Sequence, residues 1–484
     1  MGIAAGGDVA PVADRLARDG IELIRFLWVD HDSITRGKAV TTGALEQRMV
    51  SGVGLAVTRQ ASGLSDLGQP VPGFNAVGEV RLRPVPETLV RLPHAPGSAA
   101  MLCDLVTPRG DPWDACPRTF LAQALATAAA EYEVVAGFEP EFTLCRNQPE
   151  PGRLEPIDDS LCFDNEGFDA TADFAVELVR ALREQGFGVE TCHPEFGPGQ
   201  HELTLRPASA LRAADAYVLQ RLITRGLARR RGLWATFAPV PTPGSRGNGN
   251  HLHVSLWSRS AAGTLADNLF ADDRDRLGLS ELARAFLAGL LRHLPGLMAL
   301  TCASVNSYHR LKPRMWAGAF GAYGPDNREA AIRVPSRLGG REAASTHLEF
   351  KACDSTANPY LALGALVHAG MDGIRHGWDP GPALTDDPND LSAEQLERAG
   401  VVRLPQSLEE AVAALEADEL LMSVLGPARR ALYPAVKRAD VLDMKALGEE
   451  LDFHTHAVRY LASGNGENGH GHDGDRGHDV PRPA

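Results

Sequence analysis

Short runs of alternating apolar and polar residues along this chain are separated by stretches in which apolar residues recur every three or four positions. The first alternating run, residues 21–29, predicts a strand; residues 30–37 carry turn chemistry, and 38–40 return as its partner. A short helix is predicted before it at 9–19, a Gly-, Ser- and Pro-rich loop after it at 52–74, and two more strands at 79–83 and 99–105. The segment 107–112 reads as a linker that closes a small α+β unit. Beyond it, helical periodicity covers 117–133, 174–184, 210–231, 279–294, 359–373, 408–415 and 444–462. Strands are predicted at 137–142, 188–192, 202–206, 235–238 and 251–257. Residues 465–484 are polar and rich in Gly and His, and are predicted to be a disordered tail because they cannot bury enough apolar surface to order themselves.

Composition narrows the class without naming a function. The chain has 484 residues, 44% hydrophobic and 23% charged, enough for two or more domains with a large core. With 48 Lys and Arg against 62 Asp and Glu, its net charge of -14 argues against nucleic-acid or anionic-membrane binding, while leaving room for local cationic pockets. No apolar run approaches the roughly 20 residues of a membrane span, and residues 1–8 lack the basic and apolar regions of a signal peptide, so a cytoplasmic protein is expected. The seven cysteines are scattered without a C-x-x-C pair, which predicts inert thiols rather than a disulfide framework or a zinc site.

Candidate chemistry begins at Gly137-Phe138-Glu139-Pro140-Glu141-Phe142. On a strand Glu139 and Glu141 share one face and the two phenylalanines the other, with Pro140 expected only at an edge or bulge. Alone, the pair reads first as two solvated carboxylates; held side by side, it calls for a cation. Three further stretches show the same alternation. His251 and His253 follow a Gly-Asn-Gly-Asn turn, Glu195 and Glu202 bracket Gly-Pro-Gly-Gln, and His347, Glu349 and Lys351 share a face. Singly, each also reads as a core or surface feature. Together they form an oxygen-rich set of the type that Mg²⁺ or Mn²⁺ prefers. Arg310, Arg328 and Arg333 add cations suited to phosphoryl transfer, and no P-loop sequence is present.

The ordered motifs Gly137-x-Glu139-x-Glu141-Phe142, Glu195 to Glu202, Gly247-Asn248-Gly249-Asn250-His251-Leu252-His253, Asn306-Ser307-Tyr308-x-Arg310, Asn327-Arg328-x-Ala330-x-Ile332-Arg333-x-Pro335 and Ala357-Asn358-Pro359-Tyr360-Leu361 resemble type I glutamine synthetases and their γ-glutamyl-amine ligase relatives. The resemblance runs from about residue 21 to 461. It implies an α+β protein: an N-terminal β-grasp domain (1–107), a catalytic domain with a curved antiparallel sheet flanked by helices (108–464), and the 465–484 tail. It also implies a ring-shaped, dodecamer-like homo-oligomer and ATP-dependent ligation through an acyl phosphate, with two or more Mg²⁺ or Mn²⁺ ions per site. By position, Glu141, Glu195 and Glu202 would hold one ion and Glu139, His251 and Glu349 the other. His253, Ser255 and Arg333 would border the nucleotide, Arg328 and Arg333 would stabilise the transferred phosphate, and Arg310 would clamp the acid substrate, expected to be glutamate.

Several positions depart from the family pattern. Trp316 stands where the family carries a flap glutamate that handles ammonium, and no Asp-Gly-Ser-Ser segment lies between residues 52 and 73. In the acid pocket, beside Gly247, Arg246 replaces an asparagine, while Lys351 and His347 replace arginines. Asn389 occupies the place of the regulatory tyrosine. A site without the two ammonium-handling carboxylates predicts an organic amine, such as a polyamine, ethanolamine or a monoamine, as nucleophile. The alternatives are an ordinary glutamine synthetase, a ligase acting on another acid, and a non-catalytic sensing or scaffold relative.

Overall fold

The computed structural model describes residues 10–66, 71–260 and 263–460. Leu461, the 465–484 tail and the first residue of the predicted 9–19 helix lie outside the described residues. Among the described residues the strands form two sheets.

The first sheet contains β1 (Leu23–Val29), β2 (Thr35–Thr41), β3 (Val53–Ala56), β4 (Glu79–Pro84), β5 (Val90–Arg91) and β6 (Ser98–Val106), in the order β2-β1-β6-β4-β3 with β5 beside β6. β1 runs parallel to β6 and antiparallel to β2, the mixed arrangement expected of a β-grasp unit. Its core gathers Ile24, Phe26, Trp28, Leu82, Met101 and Leu105, one alternating face from each strand. β3 lies inside the stretch predicted as loop: Val53-Gly54-Leu55-Ala56 is short and glycine-interrupted, and is a strand because β4 supplies its hydrogen bonds.

The second sheet has ten strands: β7 (Glu133–Cys145), β8 (Val189–Pro194), β9 (Gln200–Leu205), β10 (Ala208–Ser209), β11 (Trp234–Thr236), β12 (Asn250–Arg259), β13 (Leu265–Asn268), β14 (Phe320–Pro325), β15 (Ala330–Val334) and β16 (Leu348–Phe350). Its spine runs β14-β15-β16-β12-β7-β9-β8, antiparallel except between β14 and β15. Helices Pro117–Ala128, Ala210–Arg230, Glu281–Thr301 and Pro359–His376 contribute to its largest apolar core.

Pro140 corrects one expectation: it lies in a central strand, not at an edge. β12 pairs with β7 over Glu133 to Pro140, but on the remaining register β10 ends at Ala136 and β9 begins at Glu141, so the missing N–H falls where only one partner strand is present. A second difference is helical. The chain from Glu419 to Leu447 is helix, broken at Gly426 (φ 72°), where only residues after 444 were expected; Pro427 and Pro434 interrupt the periodic signal. The helix predicted at 174–184 likewise begins earlier, at Asn165, capped by the Asp164 carboxylate.

Candidate active site

Cross-strand pairs build the site, one beside the next. Across the sheet, His193 faces Glu202 (β8 and β9), Glu202 faces Glu141 (β9 and β7), Glu139 faces His251 (β7 and β12), His253 faces Glu349 (β12 and β16), and Glu349 faces Arg333 (β16 and β15). On the opposite face of β7, Phe138 stacks on Tyr217 at 4.9 Å and Phe142 packs among Phe174, His201 and Phe237. Burying that apolar face fixes the register, and the register puts the carboxylates together.

Two clusters result. In the first, Glu139, His253 and Glu349 each offer a ligand atom within 4.8 Å of the others. His253 Nε2 lies 3.0 Å from Glu139, and His251 Nδ1 lies 3.4 Å from Glu139 and 3.3 Å from Glu349. Burial raises carboxylate pKa values, but His253 and His251 hold Glu139 well below the usual range. Lys351, His251, His253 and Arg333 likewise bring Glu349 down to about 2 against its burial. Lys351 Nζ is 3.2 Å from Glu349 and Arg333 Nε 2.7 Å from it, so both cations point at the cluster.

The second cluster is different in charge. His193, Glu195 and Glu202 converge within 4.8 Å, with Glu141 across the strand from Glu202. Burial, then Glu141 and Glu202, push Glu195 up to about 8; burial also raises Glu141 and Glu202. Glu141 accepts from Gly249 N at 2.9 Å and Gln200 Nε2 at 2.6 Å. Gly249 is needed there: a Cβ would stand 2.7 Å from Arg310 Nη2 and 2.8 Å from His251 Nε2. Three carboxylates share a half-buried space with one imidazole. Such a donor set fits a hard divalent cation, which would offset the burial and the mutual repulsion that raise these pKa values.

A cavity of about 380 Å³ opens over both clusters. It is lined by Arg246, Gly247, Arg310, Trp316, Arg328, Arg333 and Lys351 besides the glutamates. Arg310 donates to Cys353 O at 3.2 Å and to His251 Nε2 at 3.1 Å. A neighbouring cavity of about 330 Å³ is lined by His253, Ser255, Trp257 and His347, and shares Glu139 and Arg333 with the first. Ser255 accepts from Trp257 Nε1 at 2.9 Å; His347 Nδ1 lies 2.6 Å from Ser345 O, with its ring 4.9 Å from that of His253. All the candidate metal, nucleotide and substrate residues named from the sequence thus line one or both cavities.

Two residues escaped the sequence reading. His193-Pro194-Glu195 repeats the polar-Pro-polar pattern of Glu139-Pro140-Glu141, and that was the available signal for His193. Glu329, 5% exposed, turns both carboxylate oxygens to the flap backbone, accepting from Arg314 N at 3.0 Å and Trp316 N at 2.9 Å. Nothing in its local sequence marks that long-range contact.

Residues 114–456 match the family model for the glutamine synthetase catalytic domain, and residues 9–113 that for the glutamine synthetase N-terminal domain. The chain is 34% identical over 443 residues to a gamma-glutamylpolyamine synthetase of Streptomyces coelicolor, covering 91% of this chain and 94% of that protein. It is 32% identical to a glutamine synthetase of Halobacterium salinarum, over 90% of this chain and 93% of that one. Among solved structures, a glutamine synthase homolog superposes with a TM-score of 0.79 at 34% identity, covering 91% of this chain and 98% of the other. Members of this family use ATP and divalent metal ions, and no helix among the described residues is long and apolar enough to cross a membrane. With the two family models together matching residues 9–456 and the motifs converging on one cavity, the chain belongs to the glutamine synthetase family and is a glutamine-synthetase-like ligase.

Proposed function

We propose that the protein joins the γ-carboxyl of glutamate to an organic amine, using ATP. The observation that carries this reading is the flap. Trp316 projects a half-exposed ring into the cavity, and the nearby Glu329 carboxylate is already engaged by two backbone N–H groups. A site for free ammonium needs carboxylates to desolvate and hold a small cation, and this flap offers an aromatic surface instead.

In this reading Glu141, Glu195, Glu202 and His193 hold one Mg²⁺ or Mn²⁺, and Glu139, Glu349, His251 and His253 the other. Bound ions supply charge neutralisation for the nucleotide phosphates and the transferring phosphoryl group. Arg328 and Arg333 would stabilise the negative charge that accumulates on the transferred phosphoryl group, and Arg333 is aimed by its ion pair with Glu349. Arg310, Gly247 and Lys351 orient the acid, with Arg246 at the entrance. His253 and Ser255 border the nucleotide in the adjoining cavity. Residues 1–107 and 108–464 act as N-terminal and catalytic domains, and subunits assemble as a ring.

The test is phosphate release with ATP, Mg²⁺ and glutamate, comparing ammonium with a panel of amines. At least one organic amine is expected to exceed ammonium by about tenfold in kcat/KM. Ammonium matching every amine would overturn the reading, and no phosphate release with any pair would favour a non-catalytic relative.

A further inference from the structure

Resting on the organic-amine reading, we propose a narrower class for that amine: its remainder is aromatic or apolar and carries no second cation, and an acidic group on it would meet Arg246. Polyamines are then poor substrates.

The charge of the cavity points this way. Its lining holds five glutamates, all in the two floor clusters, against six arginines and lysines. The mouth is formed by Trp316, Phe196 and Phe163, respectively 51%, 40% and 56% exposed, with Met315 between them. Three large apolar rings exposed at one cleft form a surface suited to a ligand.

A polyamine would use such rings through cation–π contacts, yet two of the three already have cations on them. Arg246 sits 4.0 Å from the Phe196 centroid and Arg328 5.9 Å from that of Trp316, while Phe196 and Trp316 meet edge to face at 6.0 Å. Arg246 has no acidic partner among the described residues; its Nη1 lies 3.1 Å from Met315 Sδ. The Arg314 guanidinium makes an exposed contact of 3.8 Å with Asp390. A second ammonium group therefore meets guanidinium groups, whereas an apolar body meets rings and a carboxylate meets an unpaired Arg246.

Backbone strain marks the same place independently. Among the described residues, six that are not glycine have positive φ, and three of them border this cavity: Phe163 (57°), Arg314 (65°) and Trp316 (54°). Such conformations cost energy and persist where the surroundings enforce them, typically around ligands. In the ligation itself, the amine lone pair forms the C–N bond at the acyl carbon, the C–O bond to phosphate breaks, phosphate leaves, and the nitrogen gives up a proton. None of these changes needs a second charge on the amine.

The experiment measures kcat/KM by phosphate release with glutamate and, in turn, ammonium, ethylamine, phenethylamine, 4-(aminomethyl)benzoate, putrescine and spermidine. Phenethylamine and 4-(aminomethyl)benzoate are expected to exceed putrescine by about tenfold or more. In Arg246→Glu the ratio of 4-(aminomethyl)benzoate to putrescine should fall by about 100-fold, roughly tenfold from each substrate. Arg246→Gln should give an intermediate ratio, which checks that charge rather than misfolding causes the change. Putrescine or spermidine equalling phenethylamine in the unaltered enzyme, or a ratio unmoved by Arg246→Glu, would overturn the proposal while leaving organic-amine ligation intact. Ammonium surpassing all amines would instead overturn the underlying reading, and this inference with it.

Discussion

Two regions of the molecule bury clusters of carboxylates and resolve the charge in opposite ways. Between the first sheet and the helix Glu419–Leu447, Asp32 and Asp440 lie within 1% of full burial, and so does the cation between them, Lys437. Lys437 Nζ bonds to Asp32 and lies 3.5 Å from Asp440, whose other oxygen accepts from Leu64 N at 2.8 Å. Nearby, Asp30 is paired with Arg36 at 2.5 Å. Here the chain supplies a cation of its own, Lys437, shared by two carboxylates, although burial and Asp32 still hold Asp440 well above the usual carboxylate range. In the catalytic cavity the Glu141, Glu195 and Glu202 group has His193 beside it, and Arg310 and Lys351 act on Glu141, yet burial and the neighbouring carboxylates still push Glu195 up to about 8. The lesson lies in where the cation comes from: a buried charge cluster built around a lysine of the chain holds two parts of the fold together, and one that faces an open cavity is fitted to take a cation from outside.

The sharpest way to break that contrast is to remove the internal cation. Lys437→Met should destabilise the protein by about 4 kcal/mol, because Asp32 and Asp440 would stay buried without a partner. Urea unfolding measures it, and adding Asp32→Asn to Lys437→Met should recover part of the loss.

His31, in the same closed region, gives the next effect. It is fully buried, and desolvation, opposed by Asp32 and reinforced by Lys437 and Arg429, brings its imidazole down to about 4. Below pH 6.5 the unfolded chain takes up a proton that the folded protein refuses until about pH 4. Its stability contribution is therefore complete above pH 6.5 and is lost as pH falls towards 4, amounting to roughly 3 kcal/mol. His31→Leu should flatten that part of the pH dependence of unfolding.

The open region should answer differently. Glu202→Gln removes one of several like charges, so the metal-free protein should be no less stable than the unaltered one. What it should lose is the stabilisation that Mn²⁺ confers, about 2.7 kcal/mol at a concentration of 100 Kd, read as the vanished shift in melting temperature. A full shift retained in this variant would argue against Glu202 as a ligand.

Much of the site was legible because strand alternation carries its own geometry. Once Glu139 and Glu141 share a face, and His251 and His253 another strand's face, pairing of the strands brings them together. Glu195 was legible through its pairing with Glu202, whereas His193, two residues before it, carried the same alternating signal and was not read. Less legible were features decided by distant contacts. β3 is a strand because β4 lies beside it, and Pro140 is accommodated because β9 begins one residue later. The role of Glu329 as a holder of the flap backbone depends on residues 13 and 15 positions away. The helix Glu419–Leu447 hid behind Gly426, Pro427 and Pro434, although its buried Lys437 anchors the closed charge cluster.

β7 also acts as a ruler. One carboxylate of each cluster, Glu139 and Glu141, hangs from the same strand two residues apart, a separation of roughly 6.8 Å set by the rise of an extended chain. Side-chain rotamers can tune where each cluster centres, but the interval between them is written into covalent geometry. A single-residue insertion at Pro140 would turn one of the carboxylates into the apolar core, so length as well as identity is under constraint in this segment.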